Sequence, residues 1–154
     1  MDTHEDHWRR IFDGVINNMY DEIRETINWL EVQGAPERHW MWMSYTGLLI
    51  AQKFGVPVHF LSLGASCSFF PLWSSPNYKP NQRIVTFAFV NKNHFINITL
   101  DGDYPMAAPN GMWTLYRAEE AKAWEAMFED RIARYKSYIN SNTSGKTTSI
   151  YDVG

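Results

Sequence analysis

The chain contains a single cysteine, Cys67, among its 154 residues. One cysteine excludes an internal disulfide framework and is typical of a reducing compartment, so we expect a cytoplasmic or nuclear protein. No apolar run approaches the roughly 20 residues that span a bilayer. The acidic first six residues also lack the apolar stretch of a signal peptide. These absences predict that the chain has no membrane partner.

Basic residues are also scarce for a protein of this size. Lysine and arginine number 14 against 17 aspartates and glutamates, which gives a net charge of −3. Without a basic excess there is little to attract a phosphate backbone, so nucleic acid is not an expected partner. Hydrophobic residues, by contrast, make up 45% of the chain and aromatic residues 16%. This composition predicts one packed domain rather than a disordered chain.

Apolar residues at helical spacing predict helices in the first third of the chain. The strand and turn signals that follow are different: alternating or continuous apolar runs, separated by glycine, proline, serine and asparagine. A long amphipathic helix then closes the domain. The predicted helices are Glu5–Phe12, Asn18–Val32, Glu37–Phe54 (in earnest from about Ser44) and Arg117–Ile139; the strands are 56–63, 83–90 and 95–100; turns or loops are 64–68, 74–82 and 101–112.

Helices that precede and follow a small sheet define an α+β fold. We therefore predict N-terminal helices, a small and mostly antiparallel sheet, and a closing C-terminal helix. The domain covers residues 1–140. Residues 141–154 are rich in serine, threonine and asparagine, so they are predicted to be a disordered tail.

His94 is the first candidate for a catalytic residue. It opens a predicted strand directly after the polar connection Asn91–Asn93, which joins two apolar runs as a hairpin would. A histidine at the start of a rigid strand is held firmly and is still reachable, as a general acid or base must be. The alternative is a histidine at the end of a loop with one structural hydrogen bond.

An ordered series of motifs resembles part of a known family. Gly47-Leu48-Leu49-Ile50-Ala51 is followed by Phe69-Phe70-Pro71-Leu72, by Asn93-His94-Phe95 and by Tyr104-Pro105. This series is similar to the C-terminal part of OTU-like (ovarian-tumour) cysteine protease domains, of the type found in plant and fungal proteins related to Mutator-like transposons. The resemblance implies a thiol hydrolase that cuts ubiquitin from its substrates. It also implies that His94 matches the general base and that ubiquitin or a ubiquitin-like protein is the partner.

The chain departs from the family pattern at two points. The family's nucleophile lies in an Asp-Gly-x-Cys-type motif, and this sequence has no such motif. The orienting Asp or Asn of the family often lies two residues after the histidine, where this chain has Ile96. Asn97, one residue further, should point to the opposite face of the strand. The expectation is an OTU-like domain that lacks its nucleophile segment and is inactive as given.

Cys67 could be considered as a substitute nucleophile. Reactive cysteines need a lowered pKa, commonly from a helix N-terminus or a neighbouring cation. Cys67 instead lies in the predicted turn Gly64–Ser68, among serine and phenylalanine neighbours. We therefore do not expect Cys67 to be catalytic.

Trp73, Tyr104 and Asn93 are the candidates for a groove that holds the partner. The aromatic cluster of Trp40, Trp42 and Trp73 could also line such a groove, although aromatic residues are more often core. Trp113 and Trp124 in particular are predicted to pack inside the domain. His4 and His7 are spaced as two metal ligands could be, but the sequence offers no clear third ligand, so neither a metal nor another cofactor is predicted.

Three functions remain open from the sequence. The first is the inactive OTU-like protease domain. The second is a pseudoenzyme that binds ubiquitin without cutting it, which would require Trp73, Tyr104 and the His94 hairpin to be exposed together. The third is a relic of a mobile element. Such a relic would expose the apolar surface that the lost catalytic helix had covered, and it would aggregate or dimerise through that surface. The sequence does not determine the oligomeric state.

Overall fold

Three helices precede the sheet and three follow it in the computed structural model, which describes residues 4–77 and 82–144. This order of elements is the predicted α+β fold. A short 3-10 helix at Glu37–His39 leads into the third helix. The α-helices are α1 (Glu5–Phe12), α2 (Met19–Ile27), α3 (Met43–Phe54), α4 (Gly111–Tyr116), α5 (Lys122–Met127) and α6 (Glu129–Ser144), and the strands are β1 (Val58–Leu61), β2 (Cys67–Phe69), β3 (Val85–Val90) and β4 (His94–Ile98).

The four strands form one mixed sheet in the order β2-β1-β3-β4. β1 pairs with β2 and β3 pairs with β4 in antiparallel orientation, whereas β1 and β3 run parallel. Two of the three pairings are therefore antiparallel, as predicted. The parallel pair places the two hairpins side by side, so that β2 and β4 become the outer strands.

The β3–β4 hairpin has the predicted position and a connection of three residues. Val90 pairs with His94, and Asn93 N–H donates to Val90 O over 3.3 Å. Asn91 and Lys92 both have positive φ, at 52° and 61°. Left-handed residues give a turn whose twist suits an antiparallel pair, and asparagine tolerates this conformation better than lysine does.

The second helix is shorter than the sequence predicts. It ends at Ile27 instead of continuing to Val32, and Asn28 already has non-helical dihedral angles. Leu30, which continues the apolar spacing, and Val32, two residues further, are exposed by 92% and 106%. Within a protein, a helix gains most of its stability from the packing of its apolar face. Apolar residues that have no surface to pack on therefore do not extend α2.

The C-terminal region is divided where the sequence predicts one helix, Arg117–Ile139. α5 ends at Met127, Phe128 has φ −113° and ψ 14°, and α6 begins at Glu129. No glycine or proline marks this break, so the apolar spacing does not reveal it. α4 was not predicted; its N-cap is Asn110, whose side chain accepts a hydrogen bond from Met112 N–H.

The last helix extends beyond the predicted domain boundary at residue 140. α6 continues to Ser144, which is four residues into the segment predicted to be a disordered tail. The rest of that segment, residues 145–154, lies outside the described residues.

The hydrophobic core lies between the helices and the sheet. Trp113 and Trp124 are buried, as predicted, and both contact the ring of Phe70. Gly47 of α3 is part of this packing, because a Cβ atom there would lie 2.5 Å from the ring of Phe69. Because glycine has no side chain, α3 can pack directly against Phe69 at the end of β2.

Candidate functional site

His94 is held at the closed end of the β3–β4 hairpin and is exposed. Its ring makes no hydrogen bond or ion pair with a described residue. β4 is an outer strand, with β3 on one side and no described strand on the other. The imidazole is thus accessible, and it stands beside a strand edge with unpaired backbone groups.

A shallow groove of about 350 Å³ adjoins His94. Its walls come from the hairpin and from the segment that precedes α3, and they are more apolar than polar. Trp40, exposed by 42%, is the largest side chain of the groove. The lining residues are His39, Trp40, Met41, Asn93, His94 and Phe95.

Hydrogen bonds position the wall of the groove that faces His94. Trp40 Nε1–H donates to Ala35 O over 3.2 Å. Arg38 Nε–H donates to His39 Nε2 over 3.1 Å, so His39 carries its proton on Nδ1, which donates to Glu25 O over 3.0 Å. The wall is therefore tied to α2 and is not a free loop.

Neither Ile96 nor Asn97, which follow His94 on β4, orients the His94 imidazole. Ile96 shares a face of β4 with His94, and its apolar side chain cannot accept a hydrogen bond. Asn97 lies three residues after His94 and therefore points to the opposite face of the strand. Its Nδ2–H donates to Thr86 O over 3.2 Å. The side chain of Asn97 is therefore engaged with β3 and not with His94.

Cys67 begins β2 and does not lie in a turn, which corrects the predicted turn Gly64–Ser68. It pairs with Phe60 of β1, and Ser68 pairs with His59. The strand is hard to detect in the sequence, because it has only three residues and follows a serine-rich loop. Pairing with β1 and a bridge from Ser68 to Pro109 define it.

The surroundings of Cys67 oppose its ionisation. Burial raises the pKa of the Cys67 thiol to about 11, although a hydrogen bond from Asn110 acts in the other direction. The distance from Asn110 Nδ2 to Cys67 Sγ is 3.9 Å. Since the thiolate is the nucleophilic form, the thiol is poorly reactive at neutral pH.

Cys67 and His94 are far apart in the sheet. β2 and β4 are the two outer strands, and three strand spacings of about 4.8 Å separate them by about 14 Å. The register adds a displacement along the strands, because Cys67 lies in the row of Asn97, three residues or about 10 Å from His94. A nucleophile and its base must come within about 3 Å of each other, so these two residues do not form a catalytic pair.

The structure does not bring together the three residues predicted to form a partner groove. Asn93 lines the groove beside His94. Trp73 lies elsewhere, packed against His4, His7 and Trp8 of the N-terminal region with ring centroids 5.0 to 5.6 Å apart.

Tyr104, the third of these residues, lies against the sheet in another cleft. Its ring stacks on that of His59 at 5.6 Å, and the guanidinium carbon of Arg131 lies 4.0 Å from its centroid. Trp40 and Met41 take the places in the His94 groove that the sequence assigned to Trp73 and Tyr104.

His59 and Arg131 both lie against the ring of Tyr104, an arrangement that the sequence did not reveal. His59 is fully buried. Its Nε2 accepts a hydrogen bond from Ala107 N–H over 3.2 Å, while Nδ1 has no partner among the described residues. Burial, with a smaller contribution from the charge of Arg131, lowers the pKa of His59 to about 4. In the sequence, Arg131 resembles the other charged residues of an amphipathic helix.

Two further observations concern metals and membranes. No group of three His, Cys, Asp or Glu side chains in residues 4–77 and 82–144 could hold a metal ion. The rings of His4 and His7 lie 6.2 Å apart and pack on Trp73. Within the same ranges, no helix combines the length and the apolar character needed to cross a bilayer.

Comparison of the chain with protein-family models, curated proteins and solved structures finds no match. The OTU-like interpretation therefore depends on the order of the sequence motifs and on the surroundings of His94.

Proposed function

We propose that this chain is an OTU-like domain that binds ubiquitin or a ubiquitin-like protein in the groove beside His94 and does not hydrolyse it with its own thiol. The observation that carries the proposal is the position of Cys67 and His94 on opposite outer strands. The chain's one thiol is thereby separated from the histidine that matches the family's general base. What remains at His94 is a surface suited to binding.

Two properties of this surface suit an extended peptide such as the C-terminal segment of ubiquitin. The outer edge of β4 offers backbone hydrogen bonds to an added strand. The groove supplies an adjacent apolar wall, in which Trp40 is the kind of large, partly exposed side chain that dominates binding energy at interfaces. An extended segment could use both at once.

A second candidate is catalysis with a thiol supplied from outside these 154 residues. It is favoured by the free imidazole of His94, which has no described partner and could accept a proton. In this case His94 would be essential for hydrolysis and of little importance for binding.

Binding is tested with two tryptophans of matched exposure. Trp40 and Trp42 are each exposed by 42%, but only Trp40 lines the groove. Titration of labelled ubiquitin should show a dissociation constant that rises about tenfold or more in Trp40→Ala, as at an interface hot spot, and changes less than about twofold in Trp42→Ala. Equal effects in both variants, or no binding to the folded wild-type chain, would refute the proposed groove.

Hydrolysis is tested separately by mass spectrometry. The chain is incubated with ubiquitin that carries a thiol-reactive group at its C-terminus, and the Cys67→Ser variant serves as control. We expect no adduct in either. An adduct that is lost in the variant would show that Cys67 is a working nucleophile and would contradict the proposal.

A further inference from the structure

A second cleft lies at the open end of the β3–β4 hairpin, away from His94. The start of β3, the end of β4, the loop 99–104 and the helices α5 and α6 form it, and it encloses about 530 Å³. This volume lies within the range of small-molecule sites. Its apolar lining residues are Ile84, Val85, Ile98, Leu100, Met127 and Phe128.

The charged lining of this cleft is entirely cationic. Arg83 and Arg131 both line it, and no described carboxylate does so. The neutral polar lining includes Thr86, Asn97 and Tyr104. Arg83 has no ion pair with a described residue, whereas Arg131 lies 3.3 Å from Asp103, which does not line the cleft. In a chain with a net charge of −3, two guanidinium groups on one concave surface are a local concentration of positive charge.

Arg131, which lines the cleft, has unused hydrogen-bonding capacity. Its Nε–H donates to Tyr104 O over 2.8 Å, and Asp103 Oδ1 lies 3.3 Å from the same nitrogen. Neither Nη group has an acceptor among the described residues, and Nη2 is buried. A guanidinium does not lose its charge in a protein, so these donors require oxygen atoms from water or from a ligand.

We propose that this cleft binds a small organic phosphate. A phosphate group supplies the several charged oxygen atoms that guanidinium groups bind in a forked geometry. The organic part of the ligand would contact the apolar lining residues, while the hydroxyl and amide groups of Thr86, Tyr104 and Asn97 can bond its polar substituents. Stacking on Tyr104 holds the Arg131 guanidinium in place before the ligand binds.

This inference is independent of the ubiquitin proposal. The His94 groove is at the closed end of the hairpin and the cationic cleft is at its open end, and the two share no lining residue. Failure of one proposal therefore leaves the other untouched.

Three probes separate the contributions of charge and apolar surface. Phenyl phosphate carries both, inorganic phosphate carries the charge alone, and benzyl alcohol carries a similar apolar body without charge. In isothermal titration calorimetry at constant ionic strength, phenyl phosphate should bind saturably with a stoichiometry of one. Inorganic phosphate should bind more weakly and benzyl alcohol should not bind measurably. Equal binding of benzyl alcohol and phenyl phosphate, or no saturable binding of phenyl phosphate, would overturn the proposal.

Variants locate the site. Arg131→Lys keeps the charge but loses the fork, and should weaken phenyl phosphate binding about tenfold. Arg83→Gln and Arg10→Gln are a matched pair, because each removes one exposed positive charge and Arg10, on α1, does not line the cleft. We expect about threefold weaker binding in Arg83→Gln and none of this loss in Arg10→Gln.

The matched pair also decides the question if Arg131→Lys does not fold. Equal weakening in Arg83→Gln and Arg10→Gln would mean that phenyl phosphate responds only to overall charge, and the site would be refuted.

Discussion

Acid should destabilise this protein through one buried histidine, His59. Its Nε2 accepts a hydrogen bond from Ala107 N–H, so the proton of the neutral ring lies on Nδ1. A second proton would have to enter on Nε2, where it would face the donor that Nε2 now binds. Burial and the nearby charge of Arg131 oppose the same step.

The magnitude follows from the two pKa values. The pKa of His59 is about 4 in the folded protein, against 6.5 for an exposed histidine. Because the folded value is the lower one, the unfolded chain binds the proton first, and stability falls as the pH is lowered from above 6.5 to below 4. A pKa difference of one is worth about 1.4 kcal/mol, so the full loss is about 3 kcal/mol. About 2 kcal/mol of it should appear between pH 7 and pH 5.

Urea unfolding at pH 7 and pH 5 measures this loss. In this range most carboxylates stay ionised, so they contribute little. His59→Gln can retain an acceptor for Ala107 N–H but does not titrate, and it should lose most of the pH dependence. His94→Gln, which changes an exposed histidine, should keep it. If the free energy of unfolding changed equally with pH in wild type and His59→Gln, the assignment to His59 would be wrong.

Three further predictions concern packing, the hairpin and the thiol. Gly47→Ala should lower the free energy of unfolding by about 1–3 kcal/mol, because its Cβ would meet the Phe69 ring at 2.5 Å; an unchanged urea midpoint would contradict this. Lys92→Gly should raise the midpoint slightly, by up to about 1 kcal/mol, since φ is +61°; a loss of stability would show that the lysine is not strained. Iodoacetamide should modify Cys67 about 100-fold more slowly in the folded protein at pH 8 than in urea, because its pKa is raised to about 11; equal rates would refute the raised pKa.

The sequence by itself determined the elements whose signals are local. The hairpin around His94 could be predicted because two apolar runs flank a short polar connection, and α1 because its apolar residues recur at helical spacing. Burial of Trp113 and Trp124 could be predicted because large aromatic side chains in an amphipathic pattern have few other places to go. The position of His94, at the start of a strand and beside a loop, follows from the same local pattern.

Tertiary structure alone decided which side chains meet. The parallel pairing of β1 with β3 joins segments about 25 residues apart and moves Cys67 and His94 to opposite outer strands. It also decided that Trp40, not Trp73 or Tyr104, adjoins His94, and that Arg131 lies over Tyr104 in a cationic cleft. Periodicity describes which face of an element is apolar, but the neighbour of that face is set by the sum of many weak long-range contacts, and no local pattern encodes that sum.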